Sequence, residues 1–169
     1  MVTKKSSATK VAYAAILAAL AMIFSYIEAI IPFSVGIPGV KLGIANLVIL
    51  IALYKLDLKY AFLINLIRIF LVGFLFTGAF GILYSLAGGL LSLLVMVIVK
   101  NAKIFSVVGV SLAGGVAHNL GQLITAALIV SNIKLFAYFP VLIFSGLISG
   151  IIIGIVSSLI LMKLEKFKI

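Results

Sequence analysis

The sequence predicts an all-α polytopic membrane protein with six transmembrane helices and both termini in the cytoplasm. Of the 169 residues, 66% are hydrophobic and only 9% are charged, and the mean hydropathy is +1.47. Apolar runs recur along the whole chain, and most are long enough to cross about 30 Å of hydrocarbon, which takes about 18 or more residues. We therefore treat residues 1–169 as a single membrane domain of the predicted fold.

Prolines and lysine-containing segments divide the chain into six apolar spans. Pro32 ends the first span, and the segment K-L-D-L-K ends the second, which is short unless the loop before it contributes. The fourth, fifth and sixth spans end at K-N-A-K, S-N-I-K and K-L-E-K-F-K, and Pro140 lies at the start of the sixth. The predicted spans are 11–31, 43–54, 60–77, 80–99, 104–131 and 139–162.

The distribution of lysine predicts the orientation of these spans. If the N-terminus lies inside, ten lysines fall in cytoplasmic segments, and only Lys41 and Lys134 fall outside. This is a strong positive-inside bias. It predicts a cytoplasmic tail over 1–10 and an extracellular loop over 32–42. The net charge of +10 is thus explained by membrane topology, and we expect no nucleic-acid partner.

The segment P-F-S-V-G-I-P-G-V-K-L-G-I-A-N, residues 32–46, interrupts two apolar runs. Gly36, Pro38 and Gly39 favour turns over helix in its centre. Glycine absorbs large backbone changes at low cost, so the segment suits a gating loop that closes over a solute. Lys41 would place a cation at the rim of that loop.

One arginine lies within a predicted span. Arg68 is about 12 Å deep in the third span, at about 1.5 Å per residue, and Asn65 precedes it by three residues on the same helical face. An arginine at mid-membrane needs a partner or a water-filled cavity and by default marks a functional site. The alternative is a structural role, in which Arg68 pairs with Glu28 or caps backbone carbonyls.

The fifth span contains the only histidine, in the sequence A-H-N-L-G-Q. His118 shares a helical face with Gln122 and Thr125, and this polar face must contact protein or water because unsatisfied polar groups are costly in lipid. A lone histidine is often a packing residue, but three aligned polar side chains favour ligand contact. Amide side chains would then bind polar edges of the solute: Asn46, Asn65, Asn119 and Gln122.

Small residues recur where helices are expected to pack. The sequence S-L-A-G-G occurs at 85–89 and again at 111–115, and Gly146, Gly150 and Gly154 form a ridge in the sixth span. Small residues let helices approach closely in lipid, and we expect that role for these glycines. In the first span Ala14/Ala18 and Ala15/Ala19 are i,i+4 pairs. Their smooth face suits packing within the chain or against a partner helix.

The residue inventory excludes most catalytic chemistry. The only acids are Glu28, Asp57 and Glu165, and there is no cysteine. No carboxylate pair is available for acid–base catalysis or for binding magnesium. The phosphate-binding pattern G-x-x-x-x-G-K-[ST] is absent, so ATP hydrolysis by this chain is excluded. We therefore expect no enzymatic activity, no metal site and no cofactor.

Three features give the chain a resemblance to a known family. They are the alanine-rich first helix, P-G-V-K-L-G-I-A-N before the second, and G-G-V-A-H-N-L-G-Q in the fifth. Together they resemble the substrate-binding S components of energy-coupling factor (ECF) transporters. The closest branch is called Gx transporter or heptaprenyl diphosphate synthase component I.

The resemblance implies a six-helix subunit of a bacterial or archaeal cytoplasmic membrane that captures a micronutrient at its outer face. The implied partners are a transmembrane coupling subunit and two ATPase subunits. The coupling subunit would contact small residues of the first helix, here Ala14, Ala15, Ala18 and Ala19.

Two functions remain open at this point. The first is capture of an anionic or strongly hydrogen-bonding solute of vitamin size. Arg68, His118 and Lys41 are predicted near the outer half of the membrane, and Glu28 is the only acid there. It can neutralise one of these basic groups, which leaves up to two for a solute. The second is a non-transporting accessory role in isoprenoid metabolism, suggested by the synthase label. Prenyl synthases bind diphosphate through magnesium on aspartate-rich motifs, whereas this chain has a single aspartate. The label therefore does not predict catalysis by this chain.

Overall fold

A computed structural model describes residues 7–30 and 43–166, and this part of the chain consists of helices joined by short connections, with no β-strand. The six α-helices are α1 (Ser7–Ile30), α2 (Ile44–Lys55), α3 (Leu58–Val72), α4 (Gly78–Asn101), α5 (Val107–Val130) and α6 (Phe139–Lys166). A π-helical turn (Gly73–Thr77) joins α3 to α4, and a 3-10 helix (Ile133–Tyr138) joins α5 to α6. The predicted gating loop with Gly36, Pro38 and Gly39, and Lys41 beside it, lie outside the described residues.

Four helical stretches of the described chain are long and apolar enough to cross a membrane: Ala8–Ile30, Leu58–Asn101, Val107–Val130 and Ile133–Lys166. The second of these has 44 residues, but it reverses direction at Gly78, whose φ is +70°. A Cβ on Gly89 would lie 3.1 Å from Ile69 Cδ1, so α4 runs back along α3. The chain is therefore a multi-pass helical membrane protein.

Side-chain caps explain where two of the helices begin. The Asp57 carboxylate accepts a hydrogen bond from Tyr60 N at 3.2 Å, and α3 begins at the next residue. The Ser106 hydroxyl accepts one from Gly109 N at 3.3 Å at the start of α5. Such caps satisfy backbone N–H groups that have no partner within the helix. Both helices begin two or three residues away from the positions predicted from apolar runs alone.

The short helix α2 forms the centre of the fold. It has 12 residues, which makes it about 18 Å long, shorter than the hydrocarbon core. Every residue from Val48 to Leu53 is buried, so the helix is covered on all sides. It packs against α1 and α3 on one side and α6 on another.

The glycine ridge of α6 packs directly against the backbone of α5. A Cβ on Gly115 would lie 2.5 Å from the carbonyl oxygen of Gly146, and one on Gly150 would lie 2.7 Å from Leu112 Cα. A Cβ on Gly154 would lie 2.7 Å from Val108 Cα. Only hydrogen fits at these positions, which confirms the predicted close packing of small residues.

Basic residues gather at one end of the helix bundle. Lys10 at the start of α1 pairs with Asp57 before α3 at 3.4 Å. Lys100 at the end of α4 donates to the Leu53 carbonyl at 2.6 Å and lies 4.7 Å from the centre of the Tyr54 ring. These contacts join the start of α1 to the end of α2, the start of α3 and the end of α4. The end of α1, the start of α2 and the end of α3 therefore lie at the opposite end.

The two alanine pairs of α1 have different environments. Ala14 and Ala18 pack against the hydrophobic core, whereas Ala15 and Ala19 are exposed. The smooth face predicted from sequence is therefore divided between packing within the chain and an outward surface.

Candidate functional site

A polar cavity lies at the end of the bundle opposite Lys10 and Lys100. Its volume is about 40 Å³, which is room for a few water molecules. Its walls come from α1, α2, α3, α4, α5 and the π-helical turn. The polar and charged residues that line it are Ser25, Glu28, Asn46, Arg68, Thr77, Ser85, His118 and Gln122.

Arg68 is bound by three side chains from three helices, and it is only 7% exposed. Its Nε donates to Asn65 Oδ1 at 3.0 Å, and its Nη2 donates to Asn46 Oδ1 at 3.1 Å. Its Nη1 donates to Ser25 Oγ at a longer 3.4 Å. All three acceptors are neutral oxygens. A guanidinium has five N–H donors, so two of them remain uncommitted to the residues that the structure describes.

Neither of the structural contacts expected for Arg68 is present in the described part of the chain. Glu28 and Arg68 do not form a salt bridge among the described residues: the three hydrogen bonds of the guanidinium go to Asn65, Asn46 and Ser25. The guanidinium also donates to side chains and not to backbone carbonyls. The Glu28 carboxylate still lies near enough to attract the Arg68 charge through space.

Glu28 instead caps the central helix. Its Oε1 accepts a hydrogen bond at 2.8 Å from Ile44 N, the first residue of α2. Gly43, which precedes that residue, has a φ of +70°, a left-handed conformation that favours glycine. A carboxylate near a helix N-terminus is also stabilised by the helix dipole. The start of α2 is thus fixed to α1 by Glu28 and to α3 by the contact between Asn46 and Arg68.

His118 and Gln122 reach the cavity wall because α4 approaches α5 closely at Gly88. A Cβ on Gly88 would lie 2.9 Å from Gln122 Cγ and 3.0 Å from His118 Cε1. Both side chains are buried and line the cavity. Thr125, predicted on the same face, instead donates to the Gly121 carbonyl of its own helix at 3.0 Å.

Asn119 lies on a different side of α5. Its Nδ2 donates to the Leu142 carbonyl of α6 at 2.8 Å. It lines a second cavity of about 10 Å³ together with Ser92, Ser111 and Ser149, a volume that suits a single water.

The structure therefore brings together four of the predicted site residues: Asn46, Arg68, His118 and Gln122. Asn65 contributes to the site by holding Arg68, and Asn119 contacts α6. Lys41 lies outside the described residues.

Three further polar residues of the cavity were not predicted from the sequence: Ser25, Thr77 and Ser85. Ser25 precedes Glu28 by three residues, so the two share a face of α1, and this spacing is a signal that sequence analysis can use. Thr77 ends the π-helical turn. Because that turn departs from the 3.6-residue period of an α-helix, residue spacing does not predict that Thr77 lines the cavity.

Removing the Glu28 cap should loosen the start of α2. We expect Glu28→Leu to increase amide hydrogen exchange over the first turn of α2 and to destabilise the protein by about 1 kcal/mol, as loss of a capping side chain does. Glu28→Gln retains an acceptor oxygen and should protect this turn as in the wild type. Equal exchange in Glu28→Leu and Glu28→Gln would show that the bond to Ile44 N is not a cap.

Comparison with known proteins places the chain in one family. Neither the curated proteins nor the solved structures gave a significant match. The family model for heptaprenyl diphosphate synthase component I matches residues 17–160, which extends from α1 into α6 and includes all the described residues of the cavity. The chain belongs to the heptaprenyl diphosphate synthase component I family.

Proposed function

We propose that the chain is the substrate-capturing S component of an ECF transporter and binds a small anionic solute of vitamin type. The proposal rests on Arg68, a buried cation in a polar cavity. Its hydrogen-bond acceptors in the described chain are all neutral oxygens. Intramembrane ionisable residues of this kind typically mark the path or the site of a solute.

Two N–H groups of the Arg68 guanidinium have no acceptor among the described residues, and they favour an acidic solute. A carboxylate or phosphate can accept two parallel hydrogen bonds from a guanidinium, and it offsets the cost of a cation in the membrane. Glu28 is less available for this role because its Oε1 already accepts the Ile44 N–H. His118, on α5, adds a second cavity residue that can carry a positive charge.

Capture of such a solute requires the cavity to open. Its volume of about 40 Å³ is well below that of sites for drug-sized ligands, which are about 300 Å³ or more. The segment 32–42 leads directly into Gly43 at the cavity wall. We propose that Gly36, Pro38 and Gly39 let this segment open and close over the solute, with Lys41 at its rim.

The proposed topology has six spans with both termini in the cytoplasm. The end of the bundle with Lys10 and Lys100 then lies inside, in accordance with the positive-inside rule. The cavity at the opposite end faces the outside, where a nutrient would be captured. The short helix α2 completes its span with the segment that precedes it.

The proposed partners are a transmembrane coupling subunit and two ATPase subunits, because the chain has no ATP-binding motif of its own. Ala15 and Ala19 offer an exposed surface of small residues on α1 that a partner helix can approach closely. Ala14 and Ala18 pack against the core, so their contribution to this surface is smaller.

Enlarging the exposed alanines should therefore disrupt assembly. We expect Ala15→Leu with Ala19→Leu to reduce recovery of the coupling subunit by about tenfold or more, without lowering the melting temperature of the isolated chain. Ala79→Leu is the matched control, since Ala79 is also exposed but lies at the other end of the bundle. Equal recovery with the double variant and with Ala79→Leu would contradict this assignment.

We propose as a second candidate, suggested only by the wording of the family description, a non-transporting accessory protein for an isoprenoid-pathway enzyme. We propose no catalytic role for the chain itself in either case. Its one aspartate, Asp57, caps α3 and pairs with Lys10, so it is not placed to bind diphosphate through magnesium.

Co-purification from host membranes tests the two candidates against each other. The tagged chain, solubilised in mild detergent, should recover ECF ATPase subunits together with a coupling subunit. Recovery of a soluble prenyl synthase without any ATPase would favour the accessory role and contradict the transport role.

A further inference from the structure

The side-chain amide of Gln122 is a buried polar group without a full set of partners. Gln122 is 8% exposed, and its Oε1 has no hydrogen-bond donor among the described residues. The residue lines the same cavity as Arg68. A buried amide oxygen without a donor costs free energy inside a membrane protein, and an occupant of the cavity can supply that donor.

Close helix packing restrains the side-chain stem that carries this amide. A Cβ on Gly88 would lie 2.9 Å from Gln122 Cγ, and a Cβ on Gly121 would lie 2.6 Å from the Ala87 carbonyl oxygen. The stem of Gln122 is therefore held between α4 and α5. An amide that is held in place before binding loses little conformational freedom when it meets its partner.

We propose that the solute carries a secondary-amide edge, with C=O and N–H side by side as in a lactam, ureide or imide, and that Gln122 pairs with this edge. The inference rests on the proposed function and adds to the acidic group assigned to Arg68. A primary amide presents one acceptor beside two donors, so it forms two hydrogen bonds with such an edge. If the amide group of Gln122 turns by 180°, so that its oxygen and nitrogen exchange places, it still presents an acceptor beside a donor to such an edge.

The pairing would make Gln122 a specificity-determining residue. A site built to hydrogen-bond a polar edge rejects analogues that lack it, because the buried amide is then left unpaired. The acid would meet Arg68 on α3, and the amide edge would meet Gln122 on α5. In the empty protein, waters in the cavity would take the place of the solute's edge.

Three small acids test this inference on the purified full chain. Orotate carries a carboxylate and ring amide edges, 1,3-dimethylorotate lacks the ring N–H donors, and benzoate has the carboxylate without an amide. Calorimetric titration should show orotate binding to the wild type about tenfold or more tightly than either of the other two acids, as expected for loss of two hydrogen bonds.

The variant Gln122→Met, apolar and of similar length, provides the second arm. It should reduce orotate affinity to that of benzoate while leaving benzoate affinity unchanged. It should also leave the melting temperature of the solute-free protein equal or higher, because no protein contact of the amide oxygen is lost. A purely structural role for Gln122 predicts a lower melting temperature instead.

The outcomes separate this inference from the function on which it rests. Equal binding of all three acids to the wild type, or unchanged orotate binding by Gln122→Met, would overturn the amide-edge assignment and leave the anion site standing. Binding of none of the acids, or binding that is unchanged in Arg68→Gln, would overturn the anion site and the inference with it.

Discussion

Arg68→Gln should lose the solute while retaining the fold. The variant removes the guanidinium that lines the cavity, including the two N–H donors that have no acceptor among the described residues. Hydrogen bonds to charged groups contribute about 1.5–3 kcal/mol, so affinity should fall by about 10-fold to 100-fold or more. Arg68→Lys keeps a positive charge but not the planar pair of donors, and we expect an intermediate loss.

The amount of small molecule retained from a host metabolite extract, measured by mass spectrometry, gives the readout for these variants. Lys163→Gln is the control for loss of a positive charge, because Lys163 lies at the exposed end of α6, away from the cavity. Melting temperatures identify variants that fail to fold. If folded Arg68→Gln and Arg68→Lys both retain the wild-type amount of solute, Arg68 has only a structural role.

Gly115→Val should separate α5 from α6 and prevent stable folding. A Cβ at this position would lie 2.5 Å from the Gly146 carbonyl oxygen, and a backbone atom cannot move aside as the end of a side chain can. Overpacking of a well-packed interior costs about 1–3 kcal/mol and sometimes more. The valine adds two methyl groups beyond the Cβ, so we expect a large loss of folded protein or a fall in melting temperature.

Gly109→Ala is the matched control in the same helix. A Cβ there would lie 3.3 Å from Cδ1 of Phe105, an exposed side chain that can move. It should change the melting temperature little. A melting temperature for Gly115→Val that equals that of Gly109→Ala would contradict the close backbone contact between α5 and α6.

The helices were largely predictable, but the central position of α2 was not. Apolar runs bounded by Pro32, the lysine-containing segments and Pro140 located all six α-helices. In a membrane protein, however, both lipid-facing and buried residues are apolar. The uniform run from Val48 to Leu53 therefore does not reveal that α2 is covered by protein on all sides.

The site was partly predictable because spacing along one helix is visible in a sequence and contacts between helices are not. The three-residue spacing of Asn65 and Arg68 predicted a shared helical face, on which the structure shows a hydrogen bond between them. The four-residue spacing of His118 and Gln122 likewise predicted a shared face, and both residues line the cavity. That Asn46 holds Arg68 depends on how α2 packs against α3, which no local pattern specifies. Asn119, adjacent to His118 in sequence, contacts α6 because α5 is buried on more than one side.

ATP-dependent uptake into proteoliposomes would show directly whether the chain captures an acidic solute for transport. The chain, its coupling subunit and the two ATPases would be reconstituted into vesicles with the ATPases facing the lumen. The vesicles would be loaded with ATP and then incubated with the host metabolite extract. We expect mass spectrometry to find an acidic solute concentrated inside the vesicles. This accumulation should require ATP and should be lost with Arg68→Gln. An assembled, ATP-hydrolysing complex that concentrates no solute, or that does so equally well with Arg68→Gln, would contradict it.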